Sequence, residues 1–409
     1  METSLLSTID PRALGARLQE ARKARQLTQQ QAADLLGVAR TTLVAIEKGE
    51  RRVQPVELVQ LADLYGREVN DLLRRRATAQ SFAVQFRALL AETQDDHIDA
   101  ELDAQIIELQ RLCEDYRELE QLCSAPLPRR YPPEYAIAGY RAERAAEDVA
   151  SAERNRLGLG DGPLLHLRKL LENDVGLRIF YMPLPSRVAG MFGYTDDLGG
   201  CFAINAKHPH DRRRWSLAHE YAHFLTNRYR PDISIFFVYK RIPAHERFAD
   251  AFARCFLMPA SGLSRRLNAL RQAKKDEVVI ADLLALADLY EVSFEALIRR
   301  LEELRLIAVG TWERLSAAGF KVREAQALLG LAAVEADADD ELLPIRYQYL
   351  AVEAYEQEQL TEGQLARFLR TDRLSARGIV HRLKTRPDVA EAGDVGELPI
   401  DFSTFVELA

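Results

Sequence analysis

The chain has 409 residues and a formal net charge of −7, with 47% hydrophobic and 29% charged residues, the balance of an ordinary globular protein. Single hydrophobic cores stop growing near ~250–300 residues, so roughly two to four domains are expected. No apolar run approaches the ~18 residues of a membrane helix, and the start Met1-Glu2-Thr3-Ser4 is unlike a signal peptide, so a cytoplasmic protein without a membrane partner is expected.

The four cysteines, Cys113, Cys123, Cys201 and Cys255, show no C-x-x-C spacing, which argues against a disulfide framework or a thiolate zinc site. Charge is uneven: residues 1–76 carry 13 Lys+Arg against 10 Asp+Glu, a local +3 that leaves −10 for the remainder. Such asymmetry suits a small DNA-binding head on an acidic body.

Residues 1–76 read as a five-helix bundle. Leu14 to Ala24 puts Leu14, Leu18 and Ala21 on one face. Thr28 and Gln31 form a capping-box pattern for a helix from Gln29 to Leu36, which Gly37 ends with a turn that needs a left-handed residue. A third helix runs from about Ala39 to Lys48, and Pro55–Tyr65 and Val69–Leu73 complete the set. Two short helices joined by a turn containing Gly are a helix-turn-helix. The residues Thr28-Gln29-Gln30-Gln31-Ala32-Ala33, Gly37-Val38, Thr42-Leu43 and Ile46-Glu47-Lys48-Gly49 resemble the XRE, or lambda-repressor-like, family. That resemblance implies an operator of double-stranded DNA. The helix from Ala39 would enter the major groove, with Arg40, Thr41 and Ala45 toward base edges and Gln29 and Arg51 or Arg52 on phosphates.

Residues 77–133 form a connecting segment. From about 78 to 124 a helix is expected, and Leu102, Ile106, Leu109, Cys113, Tyr116 and Cys123 make a heptad-like seam interrupted by Glu120. The seam could join two subunits into a homodimer, as repressor-like domains reading two half-sites require, or pack on its own chain. Ala125 to Pro133 then reads as a stiff linker.

The central domain, 134–308, opens with helices over Tyr140–Leu157 and Pro163–Asn173, then strands at Leu177–Met182, Val188–Tyr194 and Cys201–Asn205. Next comes Trp215-Ser216-Leu217-Ala218-His219-Glu220-Tyr221-Ala222-His223, an H-E-x-x-H sequence with helical character. Spacing i, i+4 places His219 and His223 on one helix face, where two imidazoles can grip one Zn²⁺. Glu220, beside them, could take a proton from water and pass it to a leaving amine. The segment His245 to Pro259, read as a second helix, offers Glu246 as third ligand, with Asp250 one turn on to reach the outer N–H of a ligand histidine. Strand residues Cys201, Phe202, Ala203 and Ile204 are the candidate edge for an extended substrate. Arg212, Arg213 and Arg214 are either a steering patch or a solvated face, and His245 is a possible substitute ligand.

These residues, with Phe202-Ala203-Ile204-Asn205, Ala249, Phe252, Ala253 and Leu257-Met258-Pro259, resemble the ImmA/IrrE family of zinc metallopeptidases over about 140–305. Thr226 and Tyr229 stand where a metzincin would need Gly and His, which excludes that class. The resemblance implies one Zn²⁺ per chain and, as substrate, a partner repressor of the XRE type, cut in a stress or mobile-element response. Many family members carry Asn at the position of Asp250.

Residues 309–409 read as a helical C-terminal region, with a second helix-turn-helix-like pair at Leu360–Leu369 and Leu374–Leu383 capped by Thr361, then a loose acidic stretch from Asp388 to Leu398 and a short final strand or helix. The expected fold is mainly α, α+β overall: a five-helix domain, a connecting helix, a zincin-like metallopeptidase domain with a small sheet, and a helical C-terminal region. The leading function is a DNA-binding regulator with a zinc endopeptidase that cuts a partner repressor or itself. One alternative is a repressor whose peptidase-like domain senses or docks without turnover, and another is a protease whose N-terminal bundle docks substrates.

Overall fold

The computed structural model describes residues 11–25, 27–65, 69, 72, 86, 100–137, 139–235, 243–275, 277–331, 341–389 and 395–399. They fall into two compact units, 1–79 and 80–409.

The first unit contains α1 (Pro11–Ala24), α2 (Gln29–Leu36), α3 (Arg40–Glu47) and α4 (Pro55–Tyr65). The expected capping box forms, with the Thr28 hydroxyl accepting from the Gln31 amide and the Gln31 side chain accepting from the Thr28 amide. Gly37 takes φ 68°, the left-handed turn that closes α2. Leu14, Leu18, Ala32, Ala33, Leu43, Leu58 and Leu61 are buried together as one small core. Most of the fifth helix expected at Val69–Leu73 lies outside the described residues, as does the connecting helix before Ala100.

The second unit is built around one mixed sheet in the order β1-β3-β2-β4, from β1 (Arg178–Met182), β2 (Val188–Thr195), β3 (Gly199–Asn205) and β4 (Asp232–Ile235). β1 runs parallel to β3, while β2 pairs antiparallel with both β3 and β4. Side chains alternate across these strands between two cores, so both faces of the sheet are covered. Ile179, Tyr181, Phe192, Phe202 and Ile204 belong to a core shared with α5 (Ala142–Arg156), α6 (Leu167–Leu170), α7 (His210–Asn227), α8 (Ala244–Leu257), α9 (Ala260–Ala273), α10 (Ile280–Leu289) and α11 (Phe294–Glu303). Phe180, Met182, Met191, Cys201 and Ala203 face the other core, formed with α12 (Ala100–Leu122), α13 (Ile345–Glu356), α14 (Glu362–Phe368) and α15 (Arg373–Lys384).

This arrangement decides between two readings of the seam in favour of packing on its own chain, and corrects two further expectations. The heptad-like seam is not available to a second subunit, because Leu102, Ile106, Leu109, Cys113 and Tyr116 are at most 1% exposed against the sheet and the C-terminal helices of the same chain. Strand Cys201–Ile204 is not an edge for substrate: β3 is paired along both sides, and all four residues are fully buried. The stretch from Asp388 is not a loose connection but part of a two-stranded hairpin, β5 (Thr385–Val389) with β6 (Val395–Pro399). Residues 400–409, where a final short element is expected, lie outside the described residues. No described helix is long and apolar enough to cross a membrane.

Candidate metal centre and helix-turn-helix surface

α7 brings His219, Glu220 and His223 to one place because its whole middle is inside the protein, with Ser216 through Leu225 buried without a break. α8 lies against α7 and α5. Its Phe248, Phe252 and Phe256, four residues apart, stack on one another and reach Tyr221 of α7 at ring separations of 6.1 and 6.0 Å for the last two. The far side of Tyr221 is anchored too. Its hydroxyl donates to Glu153 of α5 at 2.6 Å, which also accepts from Tyr135 and Arg156. Buried Arg154 donates to the carbonyl of Phe256, and buried Arg300 to that of Met258, so the C-terminal end of α8 is held as well.

Glu246 and Asp250 on α8 therefore meet the histidines of α7. The His219 and His223 Nε2 atoms are 3.1 Å apart, and Glu246 carboxylate oxygens lie 3.3 Å from His219 Nε2 and 3.6 Å from His223 Nε2. Donors about 2.0–2.2 Å from a tetrahedral ion stand roughly 3.3–3.6 Å from one another, so these three side chains fit zinc. Within the described residues His219, His223 and Glu246 form the cluster of metal-ligating side chains, all donors within 4.8 Å. Asp250 pairs with His219 Nδ1 at 2.9 Å, so Nε2 is the nitrogen turned toward Glu246 and His223. Burial works against a charged ring, but Asp250 and Glu246 outweigh it and push His219 up to about 10. Burial would likewise raise Glu246, yet His219 and His245 hold it well below the usual carboxylate range. Carboxylates gathered on two imidazoles call for positive charge, the chemistry of a divalent-cation site.

Glu220 is fully buried. Its side chain lies over Gly190 of β2, where a Cβ would come within 3.0 Å of Glu220 Cγ and Oε1 and of Ile204 Cδ1. Gly190 therefore makes the space in which the carboxylate sits, a role the sequence signals only as an isolated glycine within a strand pattern. His245, 3.4 Å from Glu246 but largely exposed, stays at the margin. Two of the three arginines before the motif are a correction: Arg213 and Arg214 are buried, neither a steering patch nor a solvated face, while Arg212 is exposed. Arg213 lies over the Tyr181 ring, and Arg214 pairs with Glu291 at 2.6 Å and donates to the Leu164 carbonyl.

In the first unit, Ala39, Arg40 and Thr41 are exposed at the start of α3, and Ala45 is half-buried. The opposite face of α3 holds Leu43, Ile46 and Glu47 inside. Glu47 binds Arg22 of α1 through two contacts of 2.6 and 3.1 Å, which fastens α3 to the bundle. The same carboxylate accepts from the Gln29 side-chain amide at 2.8 Å. Arg51 and Arg52 are both exposed, and Arg51 is bidentate to Glu57.

Comparison with known proteins agrees with this division. Residues 13–75 match the family model for a helix-turn-helix domain, and residues 172–302 match that for the IrrE N-terminal-like domain, a peptidase M78 family. The chain is 40% identical over 65 residues to the HTH-type transcriptional regulator AnsR of Bacillus subtilis (strain 168), a match covering 16% of this chain and 56% of that protein. The chain thus spans little more than half the length of that relative. No solved structure matches significantly. One chain therefore carries an XRE-like helix-turn-helix domain and an IrrE-like, peptidase-type domain.

Proposed function

We propose that this protein is a DNA-binding transcription regulator whose IrrE-like domain is a zinc-dependent endopeptidase, one ion per chain, directed at a partner repressor of the XRE type or at the protein itself. The observation that carries the peptidase reading is the convergence of His219, His223 and Glu246 with donor separations of 3.1 to 3.6 Å, backed by Asp250 on His219 Nδ1. His219, His223 and Glu246 would hold zinc, and the bound ion supplies Lewis-acid polarisation of a scissile carbonyl. Asp250 keeps the His219 ring turned and in one tautomer. Glu220, in its dry seat against Gly190, takes the proton from attacking water on a carboxylate oxygen and returns it to the leaving amine. An extended substrate must use the outer strand β4, because β3 is paired on both sides and the outer edge of β1 is already bonded, with Tyr181 N–H donating to the Leu342 carbonyl and Arg168 to the Ile179 carbonyl. DNA binding rests on the exposed start of α3, with Arg40 suited to guanine O6/N7 and Arg52 to phosphate.

The experiment incubates zinc-loaded full chain with the products of adjacent genes, with and without single-stranded DNA. Fragments made by the native protein and lost in Glu220→Gln, with zinc content and DNA retention unchanged, support the proposal. Full zinc loading and DNA retention with no fragment from any partner would make the IrrE-like domain a non-catalytic sensor.

A further inference from the structure

We propose that the C-terminal region carries a second DNA-binding helix-turn-helix, with α15 as its groove helix. Residues 344–380 align on 11–47 without a gap: Pro344 on Pro11, Ala354 on Ala21, Leu360 on Leu27, Thr361 on Thr28, Gln364 on Gln31, Arg373 on Arg40 and Ile379 on Ile46. The fold repeats with the sequence, since α13, α14 and α15 take the places of α1, α2 and α3. Both second helices start from a Thr/Gln capping box, with the cap at φ −73°, ψ 158° in one copy and φ −76°, ψ 160° in the other. Both turns pass through a left-handed residue, Gly37 at φ 68° and Arg370 at φ 54°. Both are closed by the same backbone bond, Val38 N–H to the Ala33 carbonyl and Thr371 N–H to the Ala366 carbonyl, each 3.0 Å. The inward positions correspond as well, for Leu14, Leu18, Ala21, Ala33 and Leu43 are buried as Tyr347, Ala351, Ala354, Ala366 and Ala376 are.

What α15 offers outward is cationic, although Glu356, Glu358 and Asp372 are exposed elsewhere in the second copy. α15 reads Arg-Leu-Ser-Ala-Arg-Gly-Ile-Val-His-Arg-Leu-Lys, without one acidic side chain, and Arg373, Leu374, Ser375, Arg377, His381 and Arg382 are exposed. Arg377 rests on Glu362 and Arg382 on Glu341, exposed pairs of the kind that contribute little and can be exchanged for phosphate. In a chain of net −7 a basic, exposed helix in this setting is a phosphate-binding face. The hairpin β5–β6 follows α15 directly, giving three helices and a two-stranded ribbon, the order of a winged helix. Neither matching family model extends beyond residue 302.

The test measures full-chain binding to a mixed-sequence DNA duplex across a salt series, for the native protein, for Arg373→Gln/Arg377→Gln, for Arg51→Gln/Arg52→Gln, and for all four changes together. Each lost phosphate contact lowers the salt slope by about 0.9. The α15 variant is expected to bind about tenfold more weakly with a slope reduced by about 2, to lose further affinity when combined with the N-terminal changes, and to leave α15 amides unprotected from hydrogen exchange on duplex. Native affinity and slope in the α15 variant, or α15 amides unprotected by duplex in the native chain, would overturn the proposal. So would unchanged duplex binding together with weakened capture of poly-glutamate, which would mark α15 as a protein-docking face. The N-terminal pair reports separately on the first domain, so failure of one reading is not failure of the other.

Discussion

Asp250 gives the sharpest test of the metal centre, because its single contact with His219 separates orientation from ligation. Its carboxylate accepts from Nδ1 at 2.9 Å, while the side chain is 51% exposed. A hydrogen bond between charged partners is worth about 1.5–3 kcal/mol, and half exposure to solvent reduces that to about 1–2 kcal/mol. At 1.4 kcal/mol per tenfold, Asp250→Ala should weaken zinc binding by roughly 5–30-fold, overlapping the range for residues that support metal ligands. Asp250→Asn keeps an acceptor oxygen but not the charge, so a loss of only about threefold is expected. The assay is competition for zinc between the full chain and a calibrated chelator, with Glu246→Ala as the ligand-deletion reference. Native affinity in both Asp250 variants would refute the orienting role. A loss in Asp250→Ala equal to that in Glu246→Ala would also refute it, by making Asp250 a direct ligand.

Three further outcomes follow from the same geometry. Gly190→Ala pushes a methyl within 3.0 Å of Glu220 and Ile204, so peptide cleavage should fall about tenfold with zinc affinity retained, at an overpacking cost of about 1–3 kcal/mol; full cleavage would displace Glu220 from the proposed role. Phe252→Ala empties the stack between Tyr221 and Phe256 and should cost about 3–5 kcal/mol in denaturant unfolding of the second unit, and a loss under 1 kcal/mol would show that α8 is held otherwise. Burial would raise the Glu47 carboxyl, but Arg22 and Gln29 hold it below its ordinary value, so the stability it adds is present above the unfolded pKa of about 4.3 and is lost as pH falls through the lower folded value. Amide protection in α1 and α3, taken relative to the intrinsic exchange rate at each pH, should accordingly fall below about pH 4 in the native chain and show a flatter acid response in Glu47→Gln; parallel pH profiles would remove the pair from acid stability.

Much of the architecture was written locally. Capping boxes at Thr28 and Thr361, the left-handed turn at Gly37 and the i, i+4 histidines depend on neighbours a few residues apart, and each forms as the local pattern requires. Glu246 and Asp250 were legible because one helical turn separates them, even though the helix they meet lies elsewhere in the chain. The seam from Leu102 to Tyr116 shows the limit: an apolar stripe says that something must cover it and not what, and the sheet with α13 to α15 covers it here. Strand Cys201–Ile204 shows the same limit for edges, since strand order is a property of which segments meet across the chain.

The sequence alone thus determined most of the helices, the capping box at Thr28, the helix-turn-helix head and which side chains of the H-E-x-x-H helix share a face, because periodicity and capping act over a few bonds. Tertiary structure decided which nitrogen of His219 faces Glu246, that Glu220 has its seat against Gly190, that Arg213 and Arg214 turn inward, and that β3 is central. Those outcomes depend on how separate segments exclude water from one another, and no local pattern records that choice.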